Sequence, residues 1–246
     1  MRIPDNVKMI EIPYEVFGTR SSLNPMLLWD DQNVVLIDTG MATNVAQIRE
    51  GFKDAGFSFD NLTAIILTHQ DLDHVGGLAE ILKECGEHTK LYAHELDKPY
   101  IEGRLPLIKT SPQAMSGLLS SLPEEKRQEI LKSMEYTPIA QVDHTVDDQE
   151  RLPYCGGITV IHTPGHTAGH ISLYLEQSKL LIAADALTCK DGMLRGPVPQ
   201  TTLDMNAANR SIEKLLDYDI EAVICYHGGM SGVDVRDQLE KLVNQQ

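Results

Sequence analysis

The four cysteines, Cys85, Cys155, Cys189 and Cys225, are scattered, and no two of them form a CxxC pair. That spacing excludes a disulfide framework and a cysteine zinc site, so reduced thiols in a cytoplasm are expected. No stretch approaches the roughly 18 apolar residues of a membrane span. The opening MRIPDNVKMIEIPYEVFG lacks the apolar core of an export signal, so a cytoplasmic protein without membrane contact is expected. Basic clusters are missing too: the longest basic run is Lys126-Arg127, in a chain of net charge −15. A nucleic-acid partner, which needs cations to neutralise phosphates, is therefore not expected. A bound pair of divalent ions would soften that argument by adding about four positive charges locally. There is no internal repeat and no Gly-x-Ser-x-Gly nucleophile elbow.

What is present is an ordinary globular balance over 246 residues, with 42% hydrophobic and 23% charged types. Strands are predicted at 9–17, 25–29, 34–37, 64–67, 91–94, 158–161, 171–175, 180–183 and 222–225. Apolar residues recur at helical spacing from Val45 to about Gly56, in 77–85 closed by Gly86, in 203–216 and in 233–243. Residues 99–138 break this rhythm with five prolines and helical patches, notably 124–134. They read as a helical insert or lid within a single domain spanning 1–246. The sequence also allows a homodimer formed through that insert.

Asp38, His69, His166, Asp185 and His227 each lie just past an apolar run or in the loop beyond it. Rigid strands that end on a common sheet edge hold such groups in fixed positions. The densest stretch, Thr68-His69-Gln70-Asp71-Leu72-Asp73-His74-Val75-Gly76-Gly77, places four potential ligands in six positions. Imidazole nitrogen mixed with carboxylate oxygen suits Zn²⁺, and also Fe or Mn. A short loop cannot easily aim four side chains at one ion, so two neighbouring ions are expected. Two bland readings compete: Asp71 and Asp73 as helix caps, and His162 and His170 as residues that pack or hydrogen-bond behind the ligands. His144 is expected in a solvated acidic loop, and Cys189 as an inert buried thiol.

These motifs resemble the metallo-β-lactamase-fold hydrolase superfamily. The match runs through Asp38 in Leu36-Ile37-Asp38-Thr39-Gly40, the 69–74 segment, His166 in Thr163-Pro164-Gly165-His166, Asp185 in Ala183-Ala184-Asp185-Ala186, and His227 in Tyr226-His227-Gly228-Gly229. The resemblance implies an α/β (α+β) fold, a four-layer αββα sandwich with its metals at one edge of the sheets. It assigns His69, Asp71 and His166 to a first ion and Asp73, His74 and His227 to a second, with Asp185 bridging. Asp38 would orient ligands without binding metal. The implied cofactors are two divalent ions, Zn²⁺ first among them, with Mn²⁺ or Fe²⁺ as alternatives. One position departs from the pattern: Asp71 stands where the family's HxHxDH motif has its second His, which adds charge and shortens the ligand.

The resemblance further implies a metal-bound hydroxide as nucleophile, with Asp73 as catalytic carboxylate, acting on a small molecule. Phosphodiesters are disfavoured by charge. A glyoxalase II-like thioesterase would carry a basic C-terminal domain beyond His227, and an acyl-homoserine lactonase a Tyr soon after Asp185. A β-lactamase would be exported. The expectation is hydrolysis of a small ester, lactone or thioester, with Leu105, Leu107, Ile108, Met115, Leu118 and Leu119 of the insert covering an acyl group. An iron-dependent oxidoreductase of the persulfide dioxygenase kind, or a phosphodiesterase, is the alternative.

Overall fold

The run Val34-Val35-Leu36-Ile37 shows why this chain has continuous apolar strands instead of alternating ones. Side chains alternate across a strand, and here Val34 and Leu36 enter one buried cluster while Val35 and Ile37 enter another. Both faces are covered, so every position is apolar.

The computed structural model describes residues 3–16, 19–120, 122–128 and 140–245. One six-stranded sheet has the order β1 (Val7–Met9), β4 (Met26–Trp29), β5 (Val34–Ile37), β6 (Ala64–Ile66), β7 (Lys90–His94) and β8 (His144–Val146). Its first three strands pair antiparallel and the rest parallel. A second six-stranded sheet has the order β16 (Gly229–Ser231), β15 (Ala222–Cys225), β12 (Leu180–Ala184), β11 (Ile171–Leu175), β10 (Ile158–His162) and β9 (Arg151–Leu152). There β12 and β15 run parallel and the other pairs antiparallel. Two hairpins stand apart, β2 (Ile12–Val16) with β3 (Thr19–Leu23), and β13 (Thr188–Lys190) with β14 (Met193–Arg195).

Three apolar layers hold these elements. Val35, Ile37, Ile66, Val160, Leu173, Ile182 and Ile224 fill the space between the sheets. Leu36, Ile65, Leu67, Ile48, Phe52, Leu78 and Ile81 bury the outer face of the first sheet under helices Val45–Asp54 and Leu78–Leu82. Leu181, Ala183, Val223, Ile212, Leu215 and Leu239 do the same on the second sheet under helices Met205–Leu215 and Val235–Asn244. Each large side chain so buried contributes about 1.5–3 kcal/mol. Helix, sheet, sheet, helix is the αββα sandwich.

The predicted strand 9–17 is corrected. The chain leaves the first sheet at Ile10, and β2 joins β3 instead, because Pro13 has no N–H and suits a strand paired on one side only. Phe17 lies outside the described residues. The helix predicted over 203–216 begins at Met205, since the Asp204 carboxylate accepts from Ala207 N at 2.9 Å and caps it. The expected 77–85 helix is shorter, and a separate turn of helix, Leu72–Val75, precedes it. Within the insert, Lys98–Ile101, Pro112–Ser120 and 124–128 are helical, and 129–134 lie outside the described residues. No helix among the described residues is long and apolar enough to cross a membrane.

Candidate metal centre

Five strand ends converge on one edge of the sandwich. Asp38 follows β5 directly and His69 follows β6 after two residues. His166 lies in the β10–β11 connection, Asp185 follows β12, and His227 joins β15 to β16. Two strand ends are locally strained: Asp38 has φ 60° and Ala184 φ 47°, both left-handed. A register shift between Ile182 and Ala184 re-aims the chain just before Asp185. The glycines after His74 serve close approach, since a Cβ on Gly77 would lie 2.2 Å from the Thr39 carbonyl oxygen.

All seven residues expected as ligands come together, in three overlapping groups able to hold an ion: His69, Asp71 and His166; His69, His74 and Asp185; Asp73, His74 and His227. Asp185 is central, its Oδ1 3.4 Å from His74 Nε2 and its Oδ2 3.3 Å from both His166 Nε2 and His227 Nε2. Asp73 Oδ2 lies 3.3 Å from His227 Nε2. Asp71 occupies the N-cap position of helix Leu72–Val75, yet its side chain caps nothing. Its Oδ2 instead lies 2.9 Å from His166 Nε2 and 3.3 Å from His69 Nε2. The helix-cap reading of Asp71 is thereby excluded.

Asp38 fixes two imidazoles at once. His74 Nδ1 donates to Asp38 Oδ2 at 2.8 Å, and the Thr68 hydroxyl donates to the same oxygen at 2.8 Å. With that proton committed, Thr68 Oγ1 accepts from His69 Nδ1 at 3.1 Å. Both Nε2 lone pairs are therefore turned toward the centre. His69 Nε2, His74 Nε2 and Asp185 Oδ1 are buried there without a hydrogen-bond partner. Three converging buried polar atoms without partners are costly; a proton on His74 relieves part of that cost in the metal-free centre, and a bound cation would satisfy all three. On this observation the donor set fits a divalent ion.

The charges agree. Burial alone would lower the His74 imidazole, but the carboxylates of Asp38, Asp185 and Asp73 outweigh it and push it up to about 10. Burial opposes charge on His227 too, yet Asp185 and Asp73 raise it well above the ordinary value. Burial disfavours ionised Asp185, but His227, His74 and His166 hold its carboxyl well below the carboxylate range. The metal-free centre is thus a cluster of carboxylates neutralised by protons. A group whose pKa rises on folding adds stability that is complete below its unfolded value and disappears as pH climbs through the folded one. For His74 that window runs from 6.5 to about 10. In chelator, the melting temperature should fall across this range, while divalent ion, which replaces the proton, should stabilise more at higher pH. A flat profile in chelator would contradict this account of His74.

Several participants carry no sequence signal. Asp97, buried just after β7, accepts from Gln70 N at 3.0 Å, Thr167 Oγ1 at 2.8 Å and Gly169 N at 3.0 Å. It ties the His69 loop to the His166 loop. Asp97→Asn turns one acceptor into a donor facing N–H or O–H groups. It should cost about 1–3 kcal/mol and weaken metal binding about 10–100-fold. Chelator competition and thermal melts measure both, and unchanged metal affinity would remove Asp97 from this role. Tyr14 Oη lies 3.2 Å from His227 Nδ1, and Tyr226 Oη donates to the Asp73 carbonyl at 2.5 Å while its ring packs on His74. Lys109 Nζ stands 2.5 Å from Asp71 Oδ2 and 2.6 Å from His166 Nε2.

His170 is fully buried and accepts from Asp185 N at 3.1 Å, so it positions the backbone of Asp185. His162 stacks on His94 and donates to Ala168 O. The solvated loop expected for His144 is strand β8, where its exposed ring pairs with Glu150 at 2.8 Å. Cys189 is buried, and burial pushes its thiol up.

The centre opens into a groove of about 1130 Å³ lined by Tyr14, Met41, Leu72, Leu107, Val198 and the centre itself, with Arg20, Lys190 and Arg195 at its rim beside Glu11 and Asp191. Of the insert's apolar residues, Leu107 lines the groove, while Leu105 is exposed and Leu119 is buried elsewhere. The side chains of Met115 and Leu118 lie outside those described.

The family model described as metallo-beta-lactamase superfamily matches residues 18–227. A probable metallo-hydrolase of Bacillus subtilis, YflN, is 31% identical over 88% of this chain and 83% of its own length. Hydroxyacylglutathione hydrolase GloC of Haemophilus influenzae is 23% identical over 90% of this chain and 92% of its own. Among solved structures, a metallo-beta-lactamase family protein of Thermus thermophilus has a TM-score of 0.72 at 24% identity. That match covers 98% of this chain and 79% of that one, and it shows the shared fold.

Proposed function

The chain belongs to the metallo-β-lactamase superfamily, a hydrolytic family, and from that premise we propose that it is a zinc-dependent hydrolase of small carboxylic esters, lactones or thioesters. The observation that carries this reading is the convergence of His69 Nε2, His74 Nε2 and Asp185 Oδ1, buried and unpartnered, beside an open groove lined by Asp71, Asp73, His166, Asp185 and His227. Nitrogen donors mixed with carboxylates favour zinc over magnesium or calcium. His74, Asp73, His227 and Asp185 would hold one ion; His69, Asp71 and His166 form the corner assigned to the second.

When bound, a divalent ion supplies Lewis acidity, polarising a substrate carbonyl and making water a competent nucleophile near neutral pH. The chain's own residues do the rest. Asp73 is the most exposed of the central carboxylates, its side chain 31% open against 9% for Asp185. It faces the groove and accepts the proton of the attacking water at its carboxylate oxygen. Tyr14 Oη holds the His227 ring through Nδ1. Met41, Leu72, Leu107 and Val198 offer an apolar bed for an acyl chain. A relative named for hydroxyacylglutathione hydrolysis, covered almost end to end, supports a thioester among the candidates.

The test is metal analysis of protein purified without added metal, followed by assays on thioesters (a hydroxyacylglutathione among them), lactones and esters. Zinc with turnover of one of these classes is the expected result. Iron with oxygen uptake on glutathione persulfide would replace the hydrolase by the dioxygenase alternative.

A further inference from the structure

Asp71 adds a negative charge where the family's motif carries a neutral imidazole, and the structure places a positive charge against it. Lys109 Nζ lies 2.5 Å from Asp71 Oδ2 and 2.6 Å from His166 Nε2, with its side chain 18% exposed. The donors Asp71 Oδ2, His166 Nε2 and His69 Nε2 are spaced 2.9 and 3.3 Å apart, as around a small tetrahedral cation with bonds of about 2.0–2.2 Å. An ammonium nitrogen 2.5–2.6 Å from two of those atoms fills the same space. Ammonium and divalent ion exclude each other there.

The placement is built in from both sides. Ile108 N donates to Gln70 Oε1 at 2.9 Å, and the Gln70 side chain is wholly buried. Ser111 Oγ donates to the Ile108 carbonyl at 3.0 Å and holds the turn. Adjacent motif residues thus do two jobs: Gln70 anchors the backbone next to Lys109, and Asp71 receives its charge. Of the corner's three donors only His69 Nε2 lacks a partner, and it also belongs to the group with His74 and Asp185, where the other unpartnered atoms lie; neither Asp71 Oδ2 nor His166 Nε2 is among them.

We propose that the Lys109 ammonium is the resident cation of the Asp71–His166 corner. The chain then binds one divalent ion tightly, through His74, Asp73, His227 and Asp185, and keeps lysine as a fixed positive charge beside the groove. The inference rests on the reading of this cluster as a metal centre.

The experiment is a Zn²⁺ titration by calorimetry with elemental analysis after dialysis, on the full chain and on Lys109→Met. One tight equivalent is expected for the wild type and two for Lys109→Met. Asp71→His/Lys109→Met, which restores the neutral donor, should also bind two. Two tight equivalents in the wild type, or one in both variants, would overturn the lysine assignment and leave the metal centre standing. No bound zinc in the wild type would remove the metal centre itself, so the two failures are distinct. Should the variants fail to fold, reductive methylation of the wild type read by mass spectrometry decides. Lys109 should stay protected after one equivalent of zinc, and its exposure on zinc addition would show an ion displacing it.

Discussion

Asp185→Asn is expected to lower kcat/KM by about 10³-fold without changing the fold. A metal contributes several kcal/mol to stabilising a developing negative charge, and each tenfold in rate corresponds to about 1.4 kcal/mol. Asp185 contacts His74, His166 and His227 from one carboxylate, so neutralising it weakens both sides of the centre while keeping the shape. Asp73→Ala and His227→Ala should abolish hydrolysis for the same reason, and Asp73→Ala also removes the proton acceptor. The measurements are kcat/KM on the best ester, lactone or thioester, metal content, and circular dichroism as a control. Activity within tenfold of wild type for Asp185→Asn, with metal retained, would place the chemistry elsewhere.

The second large effect is on stability. Asp38 is buried and accepts from Thr68 N, Thr68 Oγ1 and His74 Nδ1, each at 2.8 Å. Asp38→Ala strands three buried donors at about 1–3 kcal/mol each. A loss of about 3–9 kcal/mol is a large share of the roughly 5–15 kcal/mol that holds a domain folded. The melting temperature should fall by about 10–20 °C, and metal affinity should fall with it because the His74 and His69 rings lose their set orientation. Asp38 also sits at φ 60°, a conformation asparagine tolerates and alanine does not. Asp38→Asn should therefore recover part of the stability and less of the metal affinity. Equal losses in the two variants would show that the lost carboxylate interactions with Thr68 and His74, and not backbone strain, set the effect.

The strand ends that carry the centre were legible because apolar runs such as Val34–Ile37 and Ala64–Leu67 have one reading, a strand covered on both faces. The residue just past such a run is held at a sheet edge, and a His or Asp there stands out. The same logic failed for 9–17, where two short strands serving different sheets look like one. Asp97, Lys109 and Tyr14 were invisible for a different reason. Each reaches the centre from a loop or hairpin, across 27 residues for Asp97 to Gln70, 38 for Lys109 to Asp71 and 213 for Tyr14 to His227. No periodicity marks such residues, since their positions are set by tertiary packing. Asp71 lies between these cases: its departure from the motif was visible, and its compensating lysine was not.

The candidate donors arrive in two groups, residues 69–74 with Asp38 behind them from the first sheet, and His166, Asp185 and His227 from the second. During synthesis, at about 5–20 residues per second, the first group leaves the ribosome well before the last donor exists. The early half can offer an ion only a partial, solvent-open set, so retention waits until β15 is in place and His227 arrives. Metal retention would in that sense report on folding, since the donor groups come from both sheets. A tightly held ion would need donors from both halves, and a chain that ends before residue 227 lacks one of them.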